Sequence, residues 1–154
     1  MASSIKQALG TQADLTITLA SLANGSGRAA TAVDNTSNLY LSSDIRVKIK
    51  TAAAATSATG YLSVYLIRSE DGTDYDDAFA GSDAAYTPVN ALLLGTINAV
   101  ANATTYHKVF DTAELGLSLP AKWSVGIVNS SGAALDGTAG SHEVSIRPKY
   151  LSVI

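Results

Sequence analysis

A chain of 154 residues with 47% hydrophobic content suits one compact domain that buries about two-thirds of its unfolded surface, so a second domain is not expected. Ten Lys and Arg against 13 Asp and Glu give a net charge of -3, and the bases are scattered along the chain, which excludes the electrostatic footprint of a nucleic-acid binder. The lack of cysteine rules out disulfide staples and thiolate zinc sites, and no stretch approaches the ~20 apolar residues that span a bilayer.

The first residues, Met-Ala-Ser-Ser-Ile-Lys, lack the apolar core of a secretory signal, so synthesis in the cytoplasm is expected. Residues 1–11 read as an N-terminal arm and residues 12–154 as a single domain, with residues 3–9 forming a short helix or a mobile arm. The first strand is expected over residues 14–22, where Leu15, Ile17 and Leu19 alternate with Thr16 and Thr18 before an Asn24-Gly25-Ser26-Gly27 turn. The cleanest alternation is over residues 44–51: Ile45, Val47 and Ile49 make an apolar face, and Arg46, Lys48 and Lys50 a cationic one. Residues 52–58, rich in alanine, read as a connection.

Residues 60–68 carry apolar side chains on both faces, with Leu62, Val64 and Leu66 on one and Tyr61, Tyr65 and Ile67 on the other, as a central strand does. Further strands are expected over residues 92–98, 106–111, 122–129 and 142–150, with one helical turn over 111–115. Pro148 cannot donate to a ladder and so marks an edge or a bulge. Trp123 alternates in phase with Val125 and Ile127, which places it in the core. About eight strands without long helical patterns predict an all-β fold, a single antiparallel β-sandwich of jelly-roll type, with a small closed barrel as the alternative.

No catalytic constellation emerges. There is no Gly-x-Ser-x-Gly elbow, no His-Glu-x-x-His and no phosphate loop, so His107 and His142 read as strand-surface or hydrogen-bonded residues and no enzyme activity or cofactor is expected. The acidic run Glu70, Asp71, Asp74, Asp76 and Asp77, with Asp83 beyond it, is the densest chemical feature. Carboxylates on a flexible loop suit calcium, making Asp71, Asp74, Asp76 and Asp77 weak candidate ligands, but EF-hand spacing is absent and a plain solvated loop is the favoured reading. Surface tyrosines among Tyr40, Tyr61, Tyr65, Tyr75 and Tyr86 suit either a sugar platform or a protein interface.

The string over residues 64–75, VYLIRSEDGTDY, together with LPAKWSVGIVNSSGAAL over residues 119–135, resembles small accessory virion proteins of tailed bacteriophages. In that group a strand ends in a Ser-x-Asp-Gly-Thr-x-Tyr loop, and a Trp-centred strand near the C-terminus ends in an Asn-x-Ser/Thr-Gly turn. The resemblance covers about half of the chain. It implies a non-enzymatic structural protein of the virion, foremost a capsid decoration or cement protein that binds across neighbouring subunits of the major capsid protein, commonly as a homotrimer. A tail, collar or baseplate component and a carbohydrate-binding sandwich are the alternatives. In such a role no nucleic acid or membrane is contacted. Residues 1–11, with Ile5 and Leu9, are the expected docking arm, because a short terminal strand adds readily to a sheet edge. The cationic face of Arg46, Lys48 and Lys50 is the second candidate contact.

Overall fold

The computed structural model describes residues 4–54 and 56–153. Eleven strands fill two antiparallel sheets: β1 (Ile5–Leu9), β2 (Ala13–Asp14), β3 (Gly27–Ala29), β4 (Val33–Asp34), β5 (Ser42–Lys50), β6 (Tyr61–Ser69), β7 (Ala84–Ala85), β8 (Leu92–Asn98), β9 (Thr105–Asp111), β10 (Lys122–Ser130) and β11 (Glu143–Val153). One sheet runs β1-β11-β5-β9, with β2 beside β1 along β11; the other runs β7-β3-β10-β6-β8, with β4 beside β3 along β10. Taking β1/β2 and β3/β4 as interrupted strands, the chain folds like one long hairpin rolled up. Its first strand pairs with its last, the second (β3/β4) with β10, β5 with β9, and β6 with β8. That order is a jelly roll, the sandwich predicted from the strand spacing.

Period-two alternation explains the layering. Ile45, Val47 and Ile49 of β5, Leu62, Val64 and Leu66 of β6, Trp123, Val125 and Ile127 of β10, and Val144 and Ile146 of β11 all enter one core between the sheets. Trp123 is 1% exposed, a core residue as its phase requires. The central position of β6, between β10 and β8, also agrees with its sequence. Its second face is covered: Ile67 and Ala29 join Phe79 and Tyr86 in a smaller cluster on the outside of the β10 sheet, with Tyr65 and Tyr75 packed against it. Residues 70–91 therefore form a cover over the sheet. The close fit depends on Gly126, where a Cβ would lie 2.5 Å from the Tyr86 ring.

Several expectations are corrected. Residues 14–22 form no long strand; only Ala13–Asp14 ladder onto β11, after which the chain crosses between the sheets, with Leu15 N–H bonded to Val144 and the Thr16 carbonyl to Thr31. Leu15, Ile17 and Leu19 still face the core, because extended geometry preserves the alternation without a partner strand. Residues 111–115 make turns and no helix, and β11 runs three residues past its expected end. The N-terminal segment is neither helix nor free arm over Ile5–Leu9 but the strand β1; residues 1–3 of the expected arm lie outside the described residues.

Pro148 sits on an interior strand, at a bulge. Leu9 opposes Lys149 and Ala13 opposes Ile146, so three residues (Gly10, Thr11 and Gln12) face two, Arg147 and Pro148. On the other side Pro148 opposes Ser43, whose N–H and C=O both turn to Thr112, so the missing proline N–H costs the β5–β11 ladder nothing.

Candidate docking surface

Strand β11 outlasts its neighbour. Its pairing with β5 ends at Lys149 opposite Ser42, and residues 150–153 continue with β1 alone, so the two strands project as a ribbon from one end of the sandwich. Directly opposed residues share a face. Ile5 with Val153, Gln7 with Leu151, and Leu9 therefore lie on the outward side, and Lys6, Ala8, Tyr150 and Ser152 on the other. The outward stripe is bare: Ile5 is 68%, Val153 68%, Leu151 61% and Leu9 48% exposed.

The other face looks onto the turn before β5. Asn35 builds that turn: its Nδ2 donates to the carbonyls of Tyr40 (3.0 Å) and Pro120 (3.1 Å), and its Oδ1 accepts from Tyr40 N–H (2.9 Å). The turn holds Leu39 at φ 49°, a left-handed conformation that a leucine adopts at a cost of ~1 kcal/mol or more, with its side chain in solvent. Leu39, Leu41, Leu9, Leu151 and the tilted pair Tyr40–Tyr150, with ring centroids 5.8 Å apart, line an open groove of about 680 Å³. Exposed apolar side chains gathered at one end, rimmed by Ser37, Asn38 and Thr11, have the composition of a protein-binding patch.

The root of the ribbon is pinned electrostatically. Lys149 Nζ lies 2.6 Å from Asp44 Oδ1 and 2.6 Å from Asp111 Oδ2, joining β11, β5 and β9. Burial works against the Lys149 charge, but hydrogen bonds to Asp111 and Asp44 outweigh it and raise the ammonium pKa. Asp111 mirrors this: burial pushes its carboxyl up, and the bonds from Lys149 and from Ala113 N–H bring it below the usual range.

The expected sites separate. Ile5 and Leu9 lie together on the ribbon. Arg46, Lys48 and Lys50 share the outward face of the β5 sheet, next to the ribbon stripe, but they are not equivalent. Lys50 Nζ is 3.3 Å from Asp136, whose carboxyl is lowered to about 2, first by Thr138 N–H. Arg46 is flanked by Val109 and Ser145, and Lys48 by His107 and Glu143. Arg147, opposite Asp44, lines a shallow depression with Arg46 and was not singled out by the sequence.

Among the four calcium candidates, three carboxylates are engaged within the chain. Asp71 Oδ1 accepts from Ser69, Thr73 and Asp74; Asp76 Oδ2 accepts from Arg68 N–H and Nε; Asp77 accepts from Tyr86 Oη (2.7 Å) and the N–H groups of Val89 (3.0 Å), Asn90 and Ala91 (3.2 Å). Among the described residues no group of three or more acidic or histidine side chains converges as a metal site. Burial and the Asp77 hydrogen bond push the Tyr86 phenol far up, so it stays a donor. Tyr86, expected on the surface, is buried, with its ring against Gly126 and its hydroxyl on Asp77. His142 is likewise a structural side chain, with Nε2 2.8 Å from the Asp136 carbonyl and Nδ1 accepting Lys50 N–H at 3.4 Å, while His107 lies exposed on β9. No helix among the described residues is long and apolar enough to cross a membrane.

Sequence reasoning missed Leu39, Leu41, Leu151 and Val153. The available signal was the Tyr-Leu-Ser-Val alternation after Pro148, which continues the strand with a leucine and a valine on the side opposite the core.

No family model and no curated protein matches the chain. Among solved structures, a chain from infectious bursal disease virus, Gx strain, aligns with 99% of this chain at 13% identity and a TM-score of 0.27. The chain spans about a third (32%) of that protein's length. At that score the likeness assigns neither a family nor a role.

Proposed function

We propose that this chain is a non-enzymatic structural protein of a tailed-phage virion, a decoration protein that docks on the major capsid protein and acts as a homo-oligomer. The observation that carries the reading is the bare apolar ribbon with its groove at one end of the sandwich. Large apolar side chains held in solvent on a well-packed domain are stabilised by covering, and a surface this size suits another protein. The histidine and carboxylate chemistry elsewhere supports the same direction, since Asp71, Asp76, Asp77 and His142 are occupied by intrachain partners. In this role the mechanism is added buried area, repeated over a symmetric shell, which turns modest affinity per site into firm attachment. The protein is then made in the host cytoplasm and resides in the virion.

The test is the copy number of this chain relative to the major shell protein in purified particles, by quantitative mass spectrometry, with a variant lacking residues 1–11 alongside. A ratio near one, or of one copy to a few shell subunits, lost in the truncated variant, is expected. Tens of copies per particle would place the protein at the tail, collar or baseplate instead, and absence from particles would remove the virion reading.

A further inference from the structure

We propose that β1 pairs edge to edge, antiparallel, with β1 of a second copy of this chain, about a twofold axis through Gln7. This names the contact surface of the homo-oligomer read above and rests on that reading.

The first ground is which sheet edges are guarded. Proteins blunt exposed edges with lysines, bulges or very short strands. The β9 edge carries Lys108, whose Nζ caps the Thr96 carbonyl of β8 at 2.7 Å. The β8 edge is broken by a bulge opposite Val64 and Tyr65, with Gly95 at φ 150°. The β7 edge is two residues long. β1 is five residues long and regular, and its single charge, Lys6, lies on the face toward the turn before β5, where the register argued below sets it opposite Ala8 and not opposite a second lysine.

The second ground is where the free backbone groups point. Gly10 N–H donates to the Pro148 carbonyl at 2.7 Å, which makes Gly10 and Pro148 a hydrogen-bonded pair. Bonded and non-bonded pairs alternate along an antiparallel ladder, so Ala8 and Lys6 bond to β11, whereas the N–H and C=O groups of Ile5, Gln7 and Leu9 point to the open edge.

A twofold axis at Gln7 uses all of them. Ile5 exchanges both bonds with Leu9 of the second copy, Gln7 with Gln7, and Leu9 with Ile5, giving six bonds. On the side-chain faces Ile5 meets leucine, and Lys6 meets Ala8. Shifting the axis to Lys6 sets two lysines directly opposite each other and loses two bonds; shifting it to Ala8 also loses two and sets Gln7 against leucine. The sequence Ile-Lys-Gln-Ala-Leu is self-complementary in one register. A five-residue edge contact is small beside the ~1,600 Å² of a standard complex, so a weak, concentration-dependent dimer is expected.

Sedimentation velocity from about 1 to about 500 µM tests it. The expected result is a monomer–dimer equilibrium. Gln7→Pro removes only an edge-facing donor and keeps the β1–β11 bonds, so it should raise the dissociation constant at least tenfold with an unchanged circular dichroism spectrum and Tm. Gln7→Lys, which places like charges opposite each other, should weaken the dimer most at low salt and recover as salt rises. A monomer at every concentration, a trimer mass, or a dimer indifferent to both substitutions would overturn the proposal. A dimer that fails to bind particles would retain this interface and remove the virion role; a strictly monomeric protein that binds particles would do the reverse.

Discussion

Asp77 shows how much of this fold hangs on one side chain. It sits at φ 60° between β6 and β7, and its two oxygens collect Tyr86 Oη and three backbone N–H groups from residues 89–91. The net effect on its carboxyl is a lowered pKa: burial raises it, and Tyr86 together with the N–H groups of Val89, Asn90 and Ala91 more than offsets this. Removing the acceptor leaves the part-buried Tyr86 hydroxyl and Ala91 N–H unmatched, while the exposed N–H groups of Val89 and Asn90 turn to water, and it unties the hydroxyl end of the ring that lies against Gly126. Asp77→Ala should destabilise the protein by about 2–4 kcal/mol, Tyr86→Phe by about 1 kcal/mol, and Asp77→Asn by an intermediate amount, since asparagine keeps one acceptor and tolerates the left-handed backbone. Urea midpoints read all three; an Asp77→Ala variant as stable as the parent would show that the cover needs no anchor. The run Glu70 to Asp77 is thus visible in the sequence as a chemical oddity, but its purpose is not. Carboxylates that bind calcium and carboxylates that gather backbone N–H groups have the same composition, and only the fold of residues 86–91 back onto Asp77 separates them.

Elements were legible where both faces or one clean alternation decided the matter, as in β5, β6, β8 and β10, each found within a residue or two of its expected span. The two- and three-residue strands β2, β3, β4 and β7 were illegible, because pairing that short is dictated by the neighbour across the ladder and leaves no local pattern. The join between β11, β5 and β9 was also hidden, since Lys149, Asp44 and Asp111 are scattered in sequence and meet only through register. That join predicts a pH dependence. Asp111 has a folded pKa below its unfolded value, so its contribution is full above the unfolded value of about 4 and is lost as pH falls through the folded one; Lys149, raised on folding, contributes fully below about 10.4 and loses it as pH rises through its folded value. Stability from this cluster should therefore be flat between about pH 5 and 9 and fall in acid. Asp111→Asn should lower stability at neutral pH by about 1–2 kcal/mol and flatten the loss below pH 4. Thermal melts from pH 2.5 to 8 would refute the linkage if parent and variant lose stability with the same acid slope.

On the scale of the whole molecule, the proposed docking role has two adjoining candidate surfaces: the apolar ribbon and the cationic face with Arg46, Lys48 and Arg147. Their physical signatures differ. Apolar burial is insensitive to moderate salt, whereas contacts between exposed charges are screened beyond about 8 Å at physiological ionic strength. The ribbon side chains also contribute little to the fold itself, since Ile5 and Val153 remain mostly in solvent and pack against no buried cluster. Replacing both with serine should therefore leave Tm within about 2 °C of the parent while reducing particle retention at least tenfold, at low and high salt alike. Reversing Arg46 and Lys48 to glutamate makes the opposite demand: if the sheet face is the contact, retention collapses at low salt, and the parent protein itself washes off as salt is raised. With the ribbon as the contact, the charge reversal alters the rate of attachment and leaves the retained fraction unchanged, because peripheral charges steer encounter while central apolar area resists dissociation. Co-sedimentation with undecorated particles, for both variants across a salt series, decides between the two surfaces.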